Sequence, residues 1–332
     1  MSNLGEFSDL IFAYLAPLLG FIILTMMNNY FSAILNGEGD TKRPTIIIVA
    51  GNLINVILDP ILIFHFKLGM WGAGIATIIG CGFALMTFMY LFYIKSDTLV
   101  KVDLKGIKID MDTIIEIIKL ATPIIIDGLA ICLVEIIVNY GLHLYATPII
   151  AFAYVVLIRI QTTFFTPIQG LSKGLCIVIG HLNGAKRFKV LKSTAIKSIL
   201  MGLIISGIIA SLIVAFNEPL ISIFSTQSVN MNEVRNMLMF IAMVIIIRSI
   251  VMNCSYIFIG LKKSIYSLIF VIYNLIFVTL FITLFTAVLK LGSLGVFLGF
   301  LFSYVIEAAM MLIVVRVMLN NRINNTELLA GS

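Results

Sequence analysis

Long apolar segments alternate with short polar or glycine-rich breaks along the whole chain. Each segment is long enough to cross a membrane as a helix, because about 20 helical residues span the hydrocarbon core of a bilayer. The pattern predicts nine such helices, near residues 10–35, 44–66, 71–94, 113–144, 147–180, 190–216, 233–259, 264–289 and 293–319. The sequence therefore predicts an all-α, polytopic membrane protein.

Composition supports this class and excludes several others. Of the 332 residues, 61% are apolar and 11% are charged, whereas about 25% of the residues of a soluble domain are charged. The four cysteines lie in apolar stretches without close spacing, which indicates neither a disulfide framework nor a zinc site. Motifs for nucleophilic catalysis, phosphate binding or zinc-dependent hydrolysis do not occur. We therefore expect a protein that is not an enzyme, has no cofactor and has no nucleic-acid partner.

The basic residues are distributed unevenly over the loops between the predicted helices. Sixteen lysines and arginines fall on one side of the membrane and three on the other. Cytoplasmic loops carry an excess of basic residues, so we expect the C-terminus in the cytoplasm of a multi-pass protein of the cell membrane. With nine spans, the N-terminus then lies outside.

The chain also contains an internal repeat. The segment Leu68–Gly72 matches Leu291–Gly295 at an offset of 223 residues, and Gly37 matches Gly260 at the same offset. Spans one to three then correspond to spans seven to nine, as in transporters built from two homologous bundles. Spans four to six have no such counterpart, so the repeat predicts a twelve-span protein with roughly 110 further residues before Met1.

One group of polar residues lies inside predicted spans, where ionisable groups are costly and point to function. Asn52, Asn55 and Asp59 share one face of the second span, and Pro60 frees a carbonyl oxygen one turn earlier. Thr77 lies at a similar depth in the third span. A carboxylate, an amide and a hydroxyl at one level suit Na⁺, with protonation of Asp59 as the competing event. The alternative is a structural polar clamp between two helices.

A second group lies on the fourth span. Asp127, Glu135 and Asn139 occupy one face, and Arg159 on the following span is the expected counter-charge. These residues either form an ion pair that sets the register of the helices or present carboxylates to a cationic substrate in a cavity.

Further polar residues precede the two repeated glycines. Asn28 and Asn29 lie before Gly37, and Asn253 lies before Gly260. We expect these asparagines to line a central cavity or to pack between helices.

Three motifs of the chain resemble those of the multidrug and toxin extrusion (MATE) transporters. They are Asn36-Gly37-Glu38-Gly39-Asp40-Thr41-Lys42-Arg43-Pro44, Gly51-Asn52-x-x-Asn55-x-x-x-Asp59-Pro60 and Gly69-x-x-Gly72-Ala73-Gly74-x-Ala76-Thr77. The resemblance covers essentially the whole chain and aligns it with family spans four to twelve. It implies the fold of a twelve-helix, two-lobe transporter, with residues 1–100 as the second half of the N-lobe and residues 101–332 as a complete C-lobe.

The resemblance also implies a function and a site. Such a protein exports organic, drug-like cations across the cell membrane in exchange for Na⁺ or H⁺, and we expect it to be monomeric. In the branch that resembles DNA-damage-inducible and archaeal members, Asn55, Asp59 and Thr77, with Ala73 beside them, match the coupling site. That site also uses an aspartate on the family's first span, which would lie before Met1. Two alternatives stay open, a flippase for lipid-linked saccharides and an inactive truncated transporter.

Overall fold

The computed structural model describes residues 21–95, 98–100, 110–146, 148–219 and 231–330. Nearly all of these residues are helical, and none of them forms a β-strand. The predicted all-α class is confirmed. Residues 10–20 of the first predicted span lie outside the described part.

The chain forms two compact units, residues 1–109 and 110–332. The first unit contains three long helices, α1 (residues 21–37), α2 (Lys42–Pro60) and α3 (Gly69–Met89). Aromatic and aliphatic side chains from all three helices form its core: Phe31, Leu35, Ile47, Ala84, Phe88, Leu91 and Phe92. The assignment of residues 1–100 and 101–332 to two transporter lobes stays a prediction.

The described residues of the second unit form six further long helices. They are α4 (Met111–Tyr145), α5 (Pro148–Gly184), α6 (Phe188–Ala215), α7 (Met231–Gly260), α8 (Ser264–Thr283) and α9 (Gly292–Ala330). Helix α7 is central, because it packs against α5, α6, α8 and α9. Its Ile245 and Ile257 are completely buried in a large apolar core.

Large apolar side chains also cover the outside of both units. Phe64 is 75% exposed and Ile204 is 62% exposed, which is expected where lipid replaces water as the solvent. Seven helices of the described part are long and apolar enough to cross a membrane. Helix α5 is not among them, and it carries Arg159, Gln161 and several threonines along its length. The prediction of a multi-pass membrane protein is confirmed.

The sequence repeat corresponds to a repeated backbone geometry. We call α2, its following turn and α3 the first hairpin, and α8, its following turn and α9 the second hairpin. Helix α2 continues as a π-helical turn at Ile61–His65, and α8 continues as one at Leu284–Val288. Left-handed backbone follows each turn at positions related by the same offset of 223: Lys67 and Lys290, both with φ 54°, then Gly69 with φ 54° and Gly292 with φ 59°.

Close backbone contact explains why each hairpin has a glycine shortly after its π turn. A Cβ atom on Gly72 would lie 2.8 Å from the carbonyl carbon of Leu62, and one on Gly295 would lie 2.9 Å from that of Phe285. Only glycine lets the helix after the turn approach the π turn so closely. The glycines that reveal the repeat in the sequence are therefore packing positions.

Candidate functional site

Asn55 and Thr77 meet between α2 and α3. The Asn55 Nδ2 donates a hydrogen bond to the Thr77 Oγ1 at 3.2 Å, and the Thr77 hydroxyl donates to the Ala73 carbonyl at 2.8 Å. Because the single hydroxyl proton of Thr77 goes to Ala73, its oxygen acts as the acceptor for Asn55. The amide oxygen of Asn55 takes no part in this chain of hydrogen bonds and is left to accept from, or to coordinate, another group.

Asp59 follows one helical turn after Asn55 on α2, which places both residues on the same side of the helix. The Asp59 side chain is half-buried, and its Oδ1 atom is buried without a hydrogen-bond partner. A buried polar atom without a partner is rare, because its desolvation is not compensated. The lone pairs of the Oδ1 atom are therefore available to bind a proton or a small cation.

The oxygen ligands that these residues offer fit a monovalent cation better than a divalent or transition metal. No group of three or more His, Cys, Asp or Glu residues in the described part is arranged to hold a metal ion. Asp59 instead brings one negative charge, and Asn55 and Thr77 bring neutral oxygens. One carboxylate among neutral oxygens suits Na⁺ or H⁺.

A π turn begins directly after this site. Pro60 has no N–H to donate, and the π turn Ile61–His65 follows it. Proline is not the cause of the π geometry, because the second hairpin has Thr283 at the equivalent position and still forms the turn at Leu284–Val288. Single π turns inside long helices occur frequently at functional sites.

The structure separates the two asparagines of α1 that were expected to line a cavity. The Asn28 side chain is buried, and its Nδ2 donates to the Cys81 carbonyl at 3.0 Å, which connects α1 to α3. Its Oδ1 is buried without a partner. Asn29 is exposed. Of the two residues expected to line a cavity, Asn28 packs against α3 and only Asn29 presents its side chain outward.

The expected ion pair on α4 and α5 is not seen between its described members. Glu135 and Arg159 are both exposed and are not within ion-pair distance of each other. The side chain of Asp127 lies outside the described residues. Glu135 therefore does not use Arg159 as its counter-charge, and the assignment of Arg159 to the group that includes Asp127 stays a prediction. The helical wheel shows which residues share a face but not which faces of two helices meet.

Asn253 is completely buried between α6 and α7. Its Oδ1 accepts a hydrogen bond from the Ser198 hydroxyl at 3.1 Å, and its Nδ2 donates to the Ser249 carbonyl at 2.8 Å. A Cβ atom on Gly202 would lie 2.5 Å from this Nδ2. These contacts favour helix packing for Asn253 over the lining of a cavity.

The second unit also contains a buried glutamine that the sequence analysis missed and a half-buried arginine that contacts aromatic rings. Gln161 on α5 is fully buried, and neither of its amide atoms has a partner. The Arg248 guanidinium carbon lies 5.4 Å from the ring centre of Phe165 and 6.0 Å from that of Tyr304, which is a cation–π arrangement. The position of Gln161 inside the predicted span 147–180 was the available signal for this buried glutamine.

The chain is similar to one protein family and to several known proteins. A family model described as MatE matches residues 1–61 and 123–285. The chain is 28% identical over 233 residues to the probable multidrug resistance protein YoeA of Bacillus subtilis, with 66% of this chain and 49% of that protein covered. It is 26% identical to the probable multidrug resistance protein NorM of Thermotoga maritima, with 63% of this chain and 44% of that protein covered. The chain spans about half the length of the curated relatives it matches.

Solved structures show the same fold. A multidrug resistance MATE family transporter in its outward-facing conformation superposes with a TM-score of 0.90 at 22% identity, covering 95% of this chain and 70% of that one. A MATE structure in the bent conformation gives a TM-score of 0.86 at 21% identity. The resemblance found in the sequence motifs is thereby confirmed. Because the MatE match takes in more than half of the 332 residues, the chain belongs to the MATE family of membrane transporters.

Proposed function

We propose that this protein exports organic, cationic and amphipathic compounds in exchange for Na⁺ or H⁺, and that the exchanged cation binds at Asp59. The observation that carries the proposal is the buried Asp59 Oδ1 atom without a partner, on the same side of α2 as the Asn55–Thr77 hydrogen bond. The names of the relatives, multidrug resistance and multidrug export proteins, support the class of substrate.

The second hairpin indicates that these polar residues are not needed for the fold. At the offset of 223 residues, Val278, Ile282 and Phe300 replace Asn55, Asp59 and Thr77, and all three are buried apolar side chains. The same turn and the same helix pair form there without a carboxylate. A purely structural polar clamp in the first hairpin is therefore the weaker explanation.

Neutralisation of the Asp59 carboxylate by the bound cation couples cation binding to the conformational change. A charged carboxylate inside a membrane span is costly, so a state that shields Asp59 from water is favoured only when a proton or Na⁺ is bound. The two states of the transporter then differ in affinity for the cation, and this difference is what links cation binding to a conformational change. We expect α2 to respond at the π turn after Pro60, because it directly follows Asp59 and such turns occur frequently at functional sites.

Substrate-dependent cation exchange tests the proposal. Asp59→Asn keeps the size of the side chain and removes its negative charge. In membrane vesicles with an imposed proton or Na⁺ gradient, we expect the parent protein to export ethidium in response to at least one gradient. We expect Asp59→Asn to lose that response.

Asp112→Asn is the matched control, because Asp112 is exposed in the first turn of α4 and should leave the gradient response intact. An Asp59→Asn protein that still exports ethidium with the parent's dependence on the gradient would overturn the proposal.

A further inference from the structure

A groove lies between α6 and α9 on the surface of the second unit. Its volume is about 450 Å³, and α6 lines one side while α9 lines the other. Ala195 and Val315 are buried at its floor, and Ile199 and Leu312 line it more openly. The floor and both walls are apolar for most of their length.

Two positively charged side chains lie in the same groove. Lys192 of α6 is half-buried, and Arg316 of α9 is exposed. Within the described part of the chain, neither side chain makes an ion pair. Other cations of the same unit do pair, since Arg235 contacts Glu218 at 3.0 Å and Lys262 lies 3.8 Å from Glu116.

Lys192 is the first residue of α6 that lines the groove, and Arg316 lies between Leu312 and Leu319 on the lining face of α9. Arg322 of α9 hydrogen bonds Asn183, and its guanidinium carbon lies 5.7 Å from the ring centre of Phe188 at the start of α6. The late part of α9 therefore runs beside the early part of α6, so Lys192 and Arg316 lie in the same half of the groove. From Lys192, the apolar wall continues along α6 to Leu200 for about 12 Å at 1.5 Å per residue.

We propose that this groove binds an anionic phospholipid, with its phosphate between Lys192 and Arg316 and an acyl chain along the apolar floor. A guanidinium binds phosphate oxygens in a bidentate manner, and an ammonium adds a compact charge. The charge distribution over the loops predicts that this half of the groove faces the cytoplasm, where anionic lipids are attracted to basic pockets between helices. A cationic transport substrate would be repelled by the same two charges.

Lipid-dependent fluorescence quenching tests the proposal on the intact protein. Trp71, the single tryptophan, is replaced by phenylalanine, and Ile196→Trp places a reporter on the wall of the groove. The reporter protein is titrated with phosphatidylglycerol and with phosphatidylcholine, each brominated on its acyl chains. We expect phosphatidylglycerol to bind on the order of 25-fold more tightly, since each of the two basic side chains contributes about fivefold near an anionic lipid.

Charge variants identify the residues responsible. Lys192→Gln with Arg316→Gln should abolish the preference for phosphatidylglycerol. Lys197→Gln with Lys119→Gln removes the same net charge from exposed positions outside the groove and should retain the preference. Arg316→Lys, which keeps the charge without the bidentate geometry, should give an intermediate preference and shows that a loss in the double variant is not due to misfolding.

Three results would overturn the proposal. Equal quenching by the two lipids would show ordinary contact with the bilayer. Relief of quenching by inorganic phosphate at millimolar concentration would show a site for a free anion. Equal loss of preference in both double variants would show a general effect of net charge.

Discussion

The first and second hairpins share a backbone but carry different side chains at the level of the candidate site. Both have a π turn, a left-handed lysine and a glycine pressed against the turn. At the level of Asp59, however, the first hairpin is polar and half-buried, whereas Ile282 in the second is 5% exposed among apolar neighbours. Because the backbone is the same without these polar side chains, they are not required for the fold, and we propose that they serve the cation site.

The two hairpins also differ in the place where their helices come closest together. In the first hairpin, a Cβ atom on Gly51 would lie 2.6 Å from the Gly80 carbonyl oxygen. In the second, a Cβ atom on Gly299 would lie 2.7 Å from the backbone nitrogen of Ile282. The second hairpin thus packs backbone against backbone at the level equivalent to Asp59. The closest backbone approach of the first hairpin lies two helical turns from Asp59, at Gly51 and Gly80, and Ala76 occupies the position equivalent to Gly299.

An exchange of residues between the hairpins should give the largest effect. Ile282→Asp would bury an uncompensated carboxylate against the backbone of α9, and we expect a loss of about 3–5 kcal/mol in the free energy of unfolding. Asp59→Ile should change this free energy by less than about 1 kcal/mol, because it removes a buried oxygen that has no partner. Thermal unfolding of the purified proteins in detergent measures both. Similar losses for the two variants would contradict the account.

Substitution of the turn glycines should have a smaller effect that is equal in the two hairpins. Gly72→Ala and Gly295→Ala each force a methyl group against backbone atoms at less than 3.0 Å, and we expect a cost of about 1–3 kcal/mol for each. Gly82→Ala on α3 is the matched control, since no atom lies within 4 Å of the place its methyl group would take and alanine favours helix. A substitution that is tolerated in one hairpin alone would show that the two turns are not equivalent.

The smallest effect concerns the start of α2. The Asp40 Oδ1 accepts from the backbone N–H groups of Lys42 and Arg43 at 3.2 and 3.1 Å, whereas α8 has no side-chain cap. The Arg43 side chain, and then its N–H, hold the pKa of Asp40 below its ordinary value. At neutral pH we expect Asp40→Ala to cost about 0.5–1 kcal/mol.

The pH dependence of this effect follows from the direction of the pKa change. A lowered pKa in the folded state stabilises the protein above the pKa of the unfolded state and loses this contribution as the pH falls through the folded value. The unfolding curves of the parent and of Asp40→Ala should therefore converge between about pH 5 and about pH 2. A gap between the curves that persists at the acidic end would contradict the assignment to the Asp40 carboxylate.

The sequence was sufficient to predict the elements of the fold but not the contacts between them. Repeated glycines at Gly72 and Gly295 identify the two hairpins because backbone packing tolerates no other residue there. The positions of Asn253 and Arg159 could not be predicted in the same way, since helices that are apolar on nearly all sides do not indicate which face meets a neighbour. Asn55, Asp59 and Thr77 were identified because polar residues are rare inside spans, whereas the unpartnered oxygen of Asp59 required the structure.

The most direct test of the central claim is to measure the cation displaced when substrate binds. Ethidium is added to the purified protein in weakly buffered detergent solution, and released protons and Na⁺ are recorded with indicator dyes. We predict that the parent protein releases a proton or a Na⁺ on binding ethidium and that Asp59→Asn binds ethidium without this release. An equal release from both proteins would contradict the assignment of Asp59 as the cation site.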